Sequence, residues 1–159
     1  MAAWSDVVTS APELAEAVRA LFDAHRHKTI ATLRRDGSPR ISGIEASFVD
    51  GELWFGGMWR SRKAIDLQRD PRFALHSASV DPPEWRADAK IAGRVEEITD
   101  PARIEAVSRA SGGGAPEGPS HLFRGDVEEV VLTRLGDPPD HLVIELWREG
   151  EGLRRMERR

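Results

Sequence analysis

The sequence contains no cysteine, and that absence alone excludes several classes of site. Without a thiol the chain has no disulfide, no thiolate nucleophile and no cysteine-based metal site. No segment approaches the roughly 20 consecutive apolar residues that a membrane-spanning helix needs. The first ten residues, MAAWSDVVTS, lack a basic segment followed by an apolar one, which predicts that there is no signal peptide. We therefore expect a cytoplasmic protein that does not bind membranes.

The chain also lacks an excess of positive charge. The 159 residues carry 23 lysines and arginines against 27 aspartates and glutamates, which gives a net charge of −4. An acidic chain has no general affinity for nucleic acid, and the basic C-terminal stretch RRMERR has glutamates beside it. With 40% hydrophobic residues the chain is long enough to bury one core. The composition predicts a globular protein with a single domain over residues 1–159 and no nucleic-acid partner.

The histidines do not suggest a metal site. His25 and His27 lie two residues apart, so on a helix they would face different directions. A zinc site needs several convergent ligands. The other three, His76, His121 and His141, are scattered along the chain. We expect each of them to be a satisfied or exposed imidazole, with the alternative that one donates a proton to a bound ligand.

The spacing of apolar residues predicts more strands than helices. Between residues 12 and 23 apolar side chains recur at helical spacing, and Ser10 with Glu13 is typical of a capping box that begins the helix. Two Asp-Gly pairs, at 36–37 and 50–51, lie between β-branched or aromatic runs. Such pairs favour tight hairpin turns, which predicts a meander of three strands.

Later elements follow from similar signals. Asp100 followed by Pro101 is typical of a helix start. The strands follow one another through short turns, which favours an antiparallel sheet of about six to seven strands, closed so that no edge is bare. The later elements are predicted as a helix at 61–68, strands at 73–77 and 90–99, a helix at 100–109, and strands at 128–136 and 141–149.

Residues 58–75, MWRSRKAIDLQRDPRFAL, contain the feature that points to a ligand. Arg60, Arg62 and Lys63 lie where a helix starts, although the free N–H groups and the macrodipole make that end positive. Ser61 can cap the helix while Arg62, Lys63 and the N–H groups of the first turn converge. Such a point suits a phosphate dianion. The alternative is a solvated basic turn.

The strands before this segment strengthen the ligand interpretation. Gly56 and Gly57 end the preceding strand, and glycine lets the backbone approach a ligand closely. Arg40 lies on the strand predicted to pair with it in a hairpin. Together these features are typical of a site for a planar ring with a phosphorylated tail.

The segment SRKAIDLQRDPRFAL resembles the signature of the pyridoxamine 5′-phosphate oxidase-like family, whose members are FMN-binding split barrels. That signature is Ser-Arg-Lys, a helix, Asn/Asp-Pro-Arg and a strand, and the order of elements is similar over about residues 12–157. The resemblance implies a mainly β split barrel with flanking helices, and a homodimer with a cofactor site at each side of its interface. It implies FMN as the cofactor, or the deazaflavin coenzyme F-420 if the nearer relatives are those of the actinobacterial branch.

The same resemblance implies a set of cofactor-binding residues and assigns them three positions. One group binds the phosphate, a second lies along the ring and the ribityl chain, and a third reaches the ring from the second subunit. For Trp147 the alternative is simple packing at the interface. The implied residues are Ser61, Arg62 and Lys63 at the phosphate; Arg40, Ile41, Ser42, Phe55, Gly56 and Gly57 along the ring; and Trp147 with Arg154 or Arg155 in trans.

Departures from the family pattern bear on the substrate. Glu45 stands where true pyridoxamine phosphate oxidases have a lysine for the substrate phosphate, and their later Arg…Ser motif is absent. Gly57 lacks the hydroxyl that many relatives have there. We therefore expect a flavin-type oxidoreductase with a small-molecule electron donor and acceptor, whose substrate is not pyridoxamine phosphate.

No side chain stands out in the sequence as a general acid or base. The loops at 82–85 and 112–119 are expected to border the pocket over the ring. The first alternative is a non-catalytic carrier of a flavin, a deazaflavin or another planar ligand on the same fold. The second is a ligand-free dimer that keeps the fold only as a scaffold.

Overall fold

The computed structural model describes residues 1–114 and 116–159, and in these ranges the chain forms four helices and nine strands. The predicted loop at 112–119 includes residue 115 and so lies partly outside the described residues. In chain order the elements are α1 (Trp4–Ser10), α2 (Pro12–Asp23), β1 (Lys28–Leu33), β2 (Pro39–Ile44), β3 (Ala46–Val49), β4 (Glu52–Met58), α3 (Arg62–Arg69), β5 (Arg72–His76), β6 (Ala87–Ile98), α4 (Pro101–Ala110), β7 (Ser120–Leu135), β8 (Leu142–Arg148) and β9 (Gly152–Arg158).

All nine strands belong to one antiparallel sheet in the described chain, with the order β2-β1-β5-β6-β7-β4-β3. The long strand β7 has two partners on one side, because its first residues pair with β4 and its last residues pair with β8. Strand β8 then pairs with β9. The mainly β architecture with flanking helices is confirmed. The prediction of a closed sheet with six to seven strands was wrong, because the described sheet is open and contains nine strands.

The two Asp-Gly turns occur where the sequence predicts them. Asp50 and Gly51 have φ values of 51° and 74°, which is the conformation of a tight hairpin turn between β3 and β4. The predicted meander of three strands has four, because β2 ends at Ile44 and β3 begins at Ala46. The residue between them is Glu45, where the chain changes its pairing partner from β1 to β4.

The structure differs from the prediction in three places: the N-terminal helices, the start of β7 and the C-terminal tail. Helix α1 precedes α2, so the expected capping box is wrong: Ala11 is the N-cap of α2, and Ser10 is the last residue of α1. Strand β7 begins at Ser120, eight residues before the predicted start at 128. The basic tail forms strand β9, which its polar composition does not indicate.

The core lies between the sheet and the two N-terminal helices. Leu14, Val18 and Phe22 line the inner face of α2 and are buried, as the helical spacing predicts. Trp4 of α1 packs against Phe48 of β3 with ring centroids 4.5 Å apart. Asp100 caps α4 as predicted, because its side chain accepts a hydrogen bond from Ala102 N. No helix in residues 1–114 and 116–159 is both long and apolar enough to cross a membrane.

Candidate functional site

The connection between β4 and α3 has an unusual backbone. Arg60 has a φ of 58°, a left-handed conformation that is uncommon for a residue other than glycine. Its N–H donates a hydrogen bond to Nε2 of His121, at 3.2 Å. This contact holds the chain in the sharp turn that brings Ser61 to the N-cap position of α3. Strained backbone of this kind persists only where the surroundings fix it.

The hydroxyl of Ser61 has no hydrogen-bond partner in the part of the chain that the structure describes. Its side chain makes no capping hydrogen bond to α3, and Oγ is buried with no hydrogen-bond partner among the described residues. A buried hydroxyl without a partner costs free energy. The N–H groups in the first turn of a helix also have no partner within the helix. An anion at this point would satisfy both, so the donor set fits a phosphate group.

The two cationic side chains that are predicted to bind the phosphate both lie at the start of α3, but they have different neighbours. Nζ of Lys63 donates a hydrogen bond to the backbone oxygen of Gly43 in β2, at 2.9 Å. Arg62 is exposed and lines an open groove of about 450 Å³ along α3. The structure therefore brings Ser61, Arg62 and Lys63 to one helix end, with β2 on one side and the groove on the other.

Arg40 has an internal partner that the sequence did not suggest. Its Nε lies 2.7 Å from Oδ2 of Asp66, a buried carboxylate in α3 that also accepts a hydrogen bond from Thr32. Arg69 contacts the other oxygen of the same carboxylate, Oδ1, at 3.2 Å. Burial raises the pKa of Asp66, but the hydrogen bonds from Arg40, Thr32 and Arg69 outweigh it and lower the pKa below its ordinary value. The ion pair fastens β2 to α3 and fixes the Arg40 side chain.

Large apolar side chains are exposed on the elements around the start of α3. Ile41 of β2 is 75% exposed, Met58 at the end of β4 is 80% exposed, and Trp59 is 51% exposed. Ile65 of α3 is exposed as well. Exposed apolar groups of this size near one site indicate a surface that another molecule covers.

Phe55, Gly56 and Gly57 of β4, which are predicted to line the ring, contribute backbone atoms rather than side chains at this point. Phe55 is buried in the core, where its ring packs edge-on against Phe73 at 5.1 Å. A Cβ atom built on Gly57 would lie 3.3 Å from Oγ of Ser61. The absence of a side chain at Gly57 therefore leaves room next to the unpartnered hydroxyl. Ser42 in β2 is half-buried.

Trp147 is buried in the hydrophobic core of its own chain. Its indole is 4% exposed, and Nε1 donates a hydrogen bond to Oγ of Ser10 at 3.0 Å. A side chain with this burial has no face to offer to a second subunit. The expectation that Trp147 reaches a ring in trans is therefore not supported by its position.

The two tail arginines have the exposure that contact with a second molecule requires. Arg154 and Arg155 lie on the edge strand β9 and are mostly exposed. Arg154 contacts Glu151 at 3.2 Å, and Arg155 lies 4.0 Å from Glu157. Exposed ion pairs of this kind are weak, so both guanidinium groups can exchange partners.

His121 is a site residue that the sequence did not single out. Its buried ring stacks against Trp59, with centroids 4.8 Å apart and an angle of 12°. Nδ1 lies 2.6 Å from Glu97, whose other oxygen accepts a hydrogen bond from Gln68 of α3. Because Nε2 accepts the Arg60 N–H, the arrangement is that of a neutral imidazole that donates from Nδ1.

The carboxylate of Glu97 fixes two parts of the site together. Burial raises its pKa, but hydrogen bonds from His121 and Gln68 outweigh burial and lower the pKa below its ordinary value. Glu97 thus stays ionised and orients the imidazole that supports the turn at Arg60. No pattern in the sequence indicates this contact, since His121 lies 24 residues from Glu97 and 61 from Arg60.

Comparison with known proteins identifies the family of this fold. The sequence profile of the family described as pyridoxamine 5′-phosphate oxidase matches residues 14–134. No curated protein sequence gives a significant match.

Solved structures show the same fold at low sequence identity. A pyridoxamine 5′-phosphate oxidase-related, FMN-binding protein from Nostoc punctiforme is 18% identical, with a TM-score of 0.60 over 100% of this chain and 98% of that chain. An F-420 reductase is 20% identical, with a TM-score of 0.51 over 65% of this chain and 87% of that chain. A heme-binding protein from Mycobacterium smegmatis is 13% identical, with a TM-score of 0.59 over 91% of this chain and 87% of that chain. At these identities the likeness shows the fold alone.

Proposed function

The chain belongs to the pyridoxamine 5′-phosphate oxidase family, and from that premise we propose that it binds a flavin-type cofactor, FMN or F-420, and works as an oxidoreductase. The observation that carries the proposal is the buried Oγ of Ser61, which has no partner among the described residues and lies at a helix N-terminus beside two cations. A phosphate is the ligand that suits this set of donors. The structural neighbours described as an FMN-binding protein and as an F-420 reductase support this class of cofactor. Both FMN and F-420 are therefore candidates for this site.

The phosphate would lie at the start of α3. There Ser61 would donate from its hydroxyl, and Arg62 and Lys63 would add charge-assisted hydrogen bonds. The Lys63 ammonium has three donors, so it can hold a phosphate oxygen and keep its bond to Gly43 O. The backbone at Gly56 and Gly57 would lie against the cofactor on the β4 side.

The ring would lie beside β2. Ile41 is exposed there and offers an apolar contact, while Ser42 offers a hydroxyl. The Arg40 guanidinium is fixed by Asp66 and would contribute its terminal nitrogens. These residues would orient the cofactor, which supplies hydride transfer at its ring when bound. The exposed Met58 and Trp59 would exclude water from its edge.

The substrate is proposed to differ from pyridoxamine phosphate. Glu45 is exposed and pairs with Arg26 at 2.7 Å, which places a carboxylate where a substrate phosphate would need a cation. Arg109 and Arg124 lie in the part of the chain where the absent Arg…Ser motif would stand, and both already have acidic partners. Arg124 contacts Glu96 at 2.7 Å, and Arg109 contacts Glu105 of the same helix.

The site is proposed to be completed by a second copy of the chain. Ile41, Met58, Trp59 and Ile65 expose apolar surface near the site, and burying such surface is the main favourable term in association. Arg154 and Arg155 on β9 would reach the cofactor of the partner subunit. A cytoplasmic location remains a prediction of the sequence.

Ligand carriage without turnover is the second candidate function, and the bonding of His121 favours it. Both ring nitrogens of this imidazole are engaged, one with Glu97 and one with the Arg60 N–H. His121 is therefore not free to move a proton to or from a bound ligand. The heme-binding neighbour is an example of a protein with this fold that binds a planar ligand.

A cofactor screen followed by a turnover assay tests both candidates. The purified protein is titrated with FMN, FAD and F-420 by calorimetry, and the bound cofactor is then mixed with a nicotinamide donor and an electron acceptor. Binding followed by bleaching and reoxidation supports the oxidoreductase, and binding without turnover supports the carrier. If neither FMN nor F-420 binds, the chain keeps the fold only as a scaffold and the proposal is wrong.

A further inference from the structure

The groove along α3 is strongly basic in an acidic protein. It has a volume of about 450 Å³ and is lined by Arg34, Arg35, Arg40, Arg62 and Arg69. Two carboxylates, Asp36 and Asp66, also line it. Five guanidinium groups against two carboxylates leave three positive charges in excess, whereas the whole chain has a net charge of −4. Positive charge is thus concentrated at one place, where it attracts anions.

The two carboxylates are largely occupied by internal contacts. Asp66 is buried and holds the side chains of Arg40 and Arg69 in fixed positions. Asp36 accepts hydrogen bonds from the backbone and the hydroxyl of Ser38 in the same turn. Because Arg40 and Arg69 are already ordered, little side-chain freedom would be lost when a ligand binds between them.

Two of the groove arginines have a guanidinium group without a partner in the described chain. The side chains of Arg35 and Arg62 form no hydrogen bond and no ion pair with any part of the chain that the structure describes. Each belongs to a different wall, Arg35 to the turn between β1 and β2 and Arg62 to α3. The free positive charge of the groove is therefore distributed over both walls.

The groove is too long for a single phosphate. Arg62 is the first residue of α3 and Arg69 is the last, and the seven residue steps between them span about 10 Å at a rise of 1.5 Å per step. A phosphate bound at the helix start would contact Arg62 and leave Arg69 and the β1–β2 turn unused. Several anionic groups in a row would use the whole length.

We propose that this groove binds a linear oligoanion, that is, two or more phosphate or carboxylate groups in series. The proposal rests on the proposed function, because Arg40 and Arg62 belong to both the proposed cofactor site and the groove. The oligoanion has two possible sources: an extension of the bound cofactor beyond its first phosphate, or a separate anionic molecule that binds beside it. Both sources share the same chemistry, and the experiment below separates them.

The experiment compares inorganic phosphate with tripolyphosphate on the full chain by calorimetry at constant ionic strength. Tripolyphosphate is expected to bind at least about tenfold more tightly than phosphate, since further charge-assisted hydrogen bonds form along the groove. Arg35→Gln should weaken tripolyphosphate by about three- to tenfold and leave phosphate unchanged. Arg35 is exposed, and its guanidinium forms no hydrogen bond or ion pair within the described chain, so this variant is expected to fold. Arg103→Gln, on α4 outside the groove, is the control and should change neither affinity.

Titration with cofactors identifies the source. If the groove binds the cofactor's own extension, Arg35→Gln weakens FAD, which has two phosphates, or F-420, whose phosphate is followed by carboxylates, and leaves FMN unchanged. If the groove binds a separate molecule, Arg35→Gln weakens only tripolyphosphate added to the cofactor-bound protein.

Two results would overturn the groove proposal: equal affinity for phosphate and tripolyphosphate, or equal effects of Arg35→Gln and Arg103→Gln on tripolyphosphate binding. Either result would show that the groove has no site for an oligoanion. If no flavin-type cofactor binds but the Arg35-dependent binding of tripolyphosphate remains, the proposed function fails and the groove proposal stands.

Discussion

The start of α3 and the surroundings of Trp147 differ in how completely their polar groups are satisfied. At the start of α3 the chain has a left-handed arginine and a buried hydroxyl without a partner in the described structure. Large apolar side chains are exposed beside it. Around Trp147 the indole is buried and its N–H donates to Ser10.

Under the proposed function, this difference separates residues that would bind a ligand from residues that stabilise the fold. A region that leaves hydrogen-bond donors unused and apolar surface exposed is less stable by itself than it could be, and a ligand would complete it. A region with its groups satisfied contributes to folding alone. Family resemblance assigns Trp147 and Lys63 to the same site, whereas the structure buries Trp147 in the core and leaves Lys63 at the start of α3.

Trp147→Ala should have the largest effect, and that effect should be on folding. Removing a buried indole leaves a cavity, and we expect a loss of about 3–5 kcal/mol in the free energy of unfolding, measured by urea denaturation. Cofactor affinity of the folded fraction should not change. Trp59→Ala is the matched control, because its exposed ring should contribute little to stability and more to cofactor binding. A loss of cofactor affinity in Trp147→Ala equal to that in Trp59→Ala would contradict this division.

Asp66→Asn should destabilise the protein by about 2–4 kcal/mol, because it removes the buried charge that Arg40 and Arg69 contact. The native pKa of Asp66 is lowered, so its contribution is fully present above the unfolded value near 3.8 and is lost as the pH falls through the native pKa. The variant should lose less stability than the wild type when urea denaturation is repeated between pH 5 and pH 3.

Asp70→Asn is the comparison for the size of that destabilisation. Arg72 lowers the pKa of Asp70 to about 2 through hydrogen bonds, but its guanidinium is exposed. The pair is therefore screened by solvent, and the variant should be less destabilised than Asp66→Asn. Equal losses in the two variants would mean that Asp66 is no more than a surface charge.

Lys63→Ala should weaken cofactor binding by about 1.5–3 kcal/mol, the range for a hydrogen bond to a charged group. The free energy of unfolding without cofactor should change little, since the contact with Gly43 O is a single partly exposed hydrogen bond. Lys90→Ala, at an exposed position of β6, is the control. Calorimetry with FMN and F-420 measures the effect, and an unchanged affinity would place the phosphate elsewhere.

Gly57→Ser should have the smallest effect, a gain of about 1 kcal/mol or less in cofactor binding. The new side chain would add a hydroxyl next to the phosphate site, although its Cβ would lie only 3.3 Å from Oγ of Ser61. Gly57→Ala separates the two contributions, because it has the crowding without the hydroxyl. Weaker binding in both variants would mean that the crowding outweighs any new hydrogen bond.

The sequence predicted correctly the turns and helix starts that depend on a few neighbouring residues. The Asp-Gly turns, the start of α4 at Asp100 and the helix after Ser61 all lie where the sequence places them. The family signature at α3 is also local, and the family match confirms it. Helix α1 and strand β9 were missed, since one is short and the other is polar, and tertiary contacts stabilise both.

The contacts that organise the site join residues far apart in the chain, so no spacing rule reveals them. Asp66 falls within the predicted helix at 61–68, but only the fold shows that it is buried against Arg40, 26 residues away. The contact between His121 and the Arg60 backbone depends on the pairing of β7 with β4. The position of Trp147 depends on helix α1, which the sequence did not predict.

The most direct test of the account is the contribution of the phosphate to cofactor affinity. The cofactor selected by the screen is compared with its dephosphorylated form, which for FMN is riboflavin, in the wild type and in a variant with Arg62→Gln and Lys63→Gln. We predict that the phosphate strengthens binding to the wild type by about tenfold or more and that this gain is largely lost in the variant. Equal affinity of the two forms for the wild type, or a gain that survives in the variant, would contradict the account.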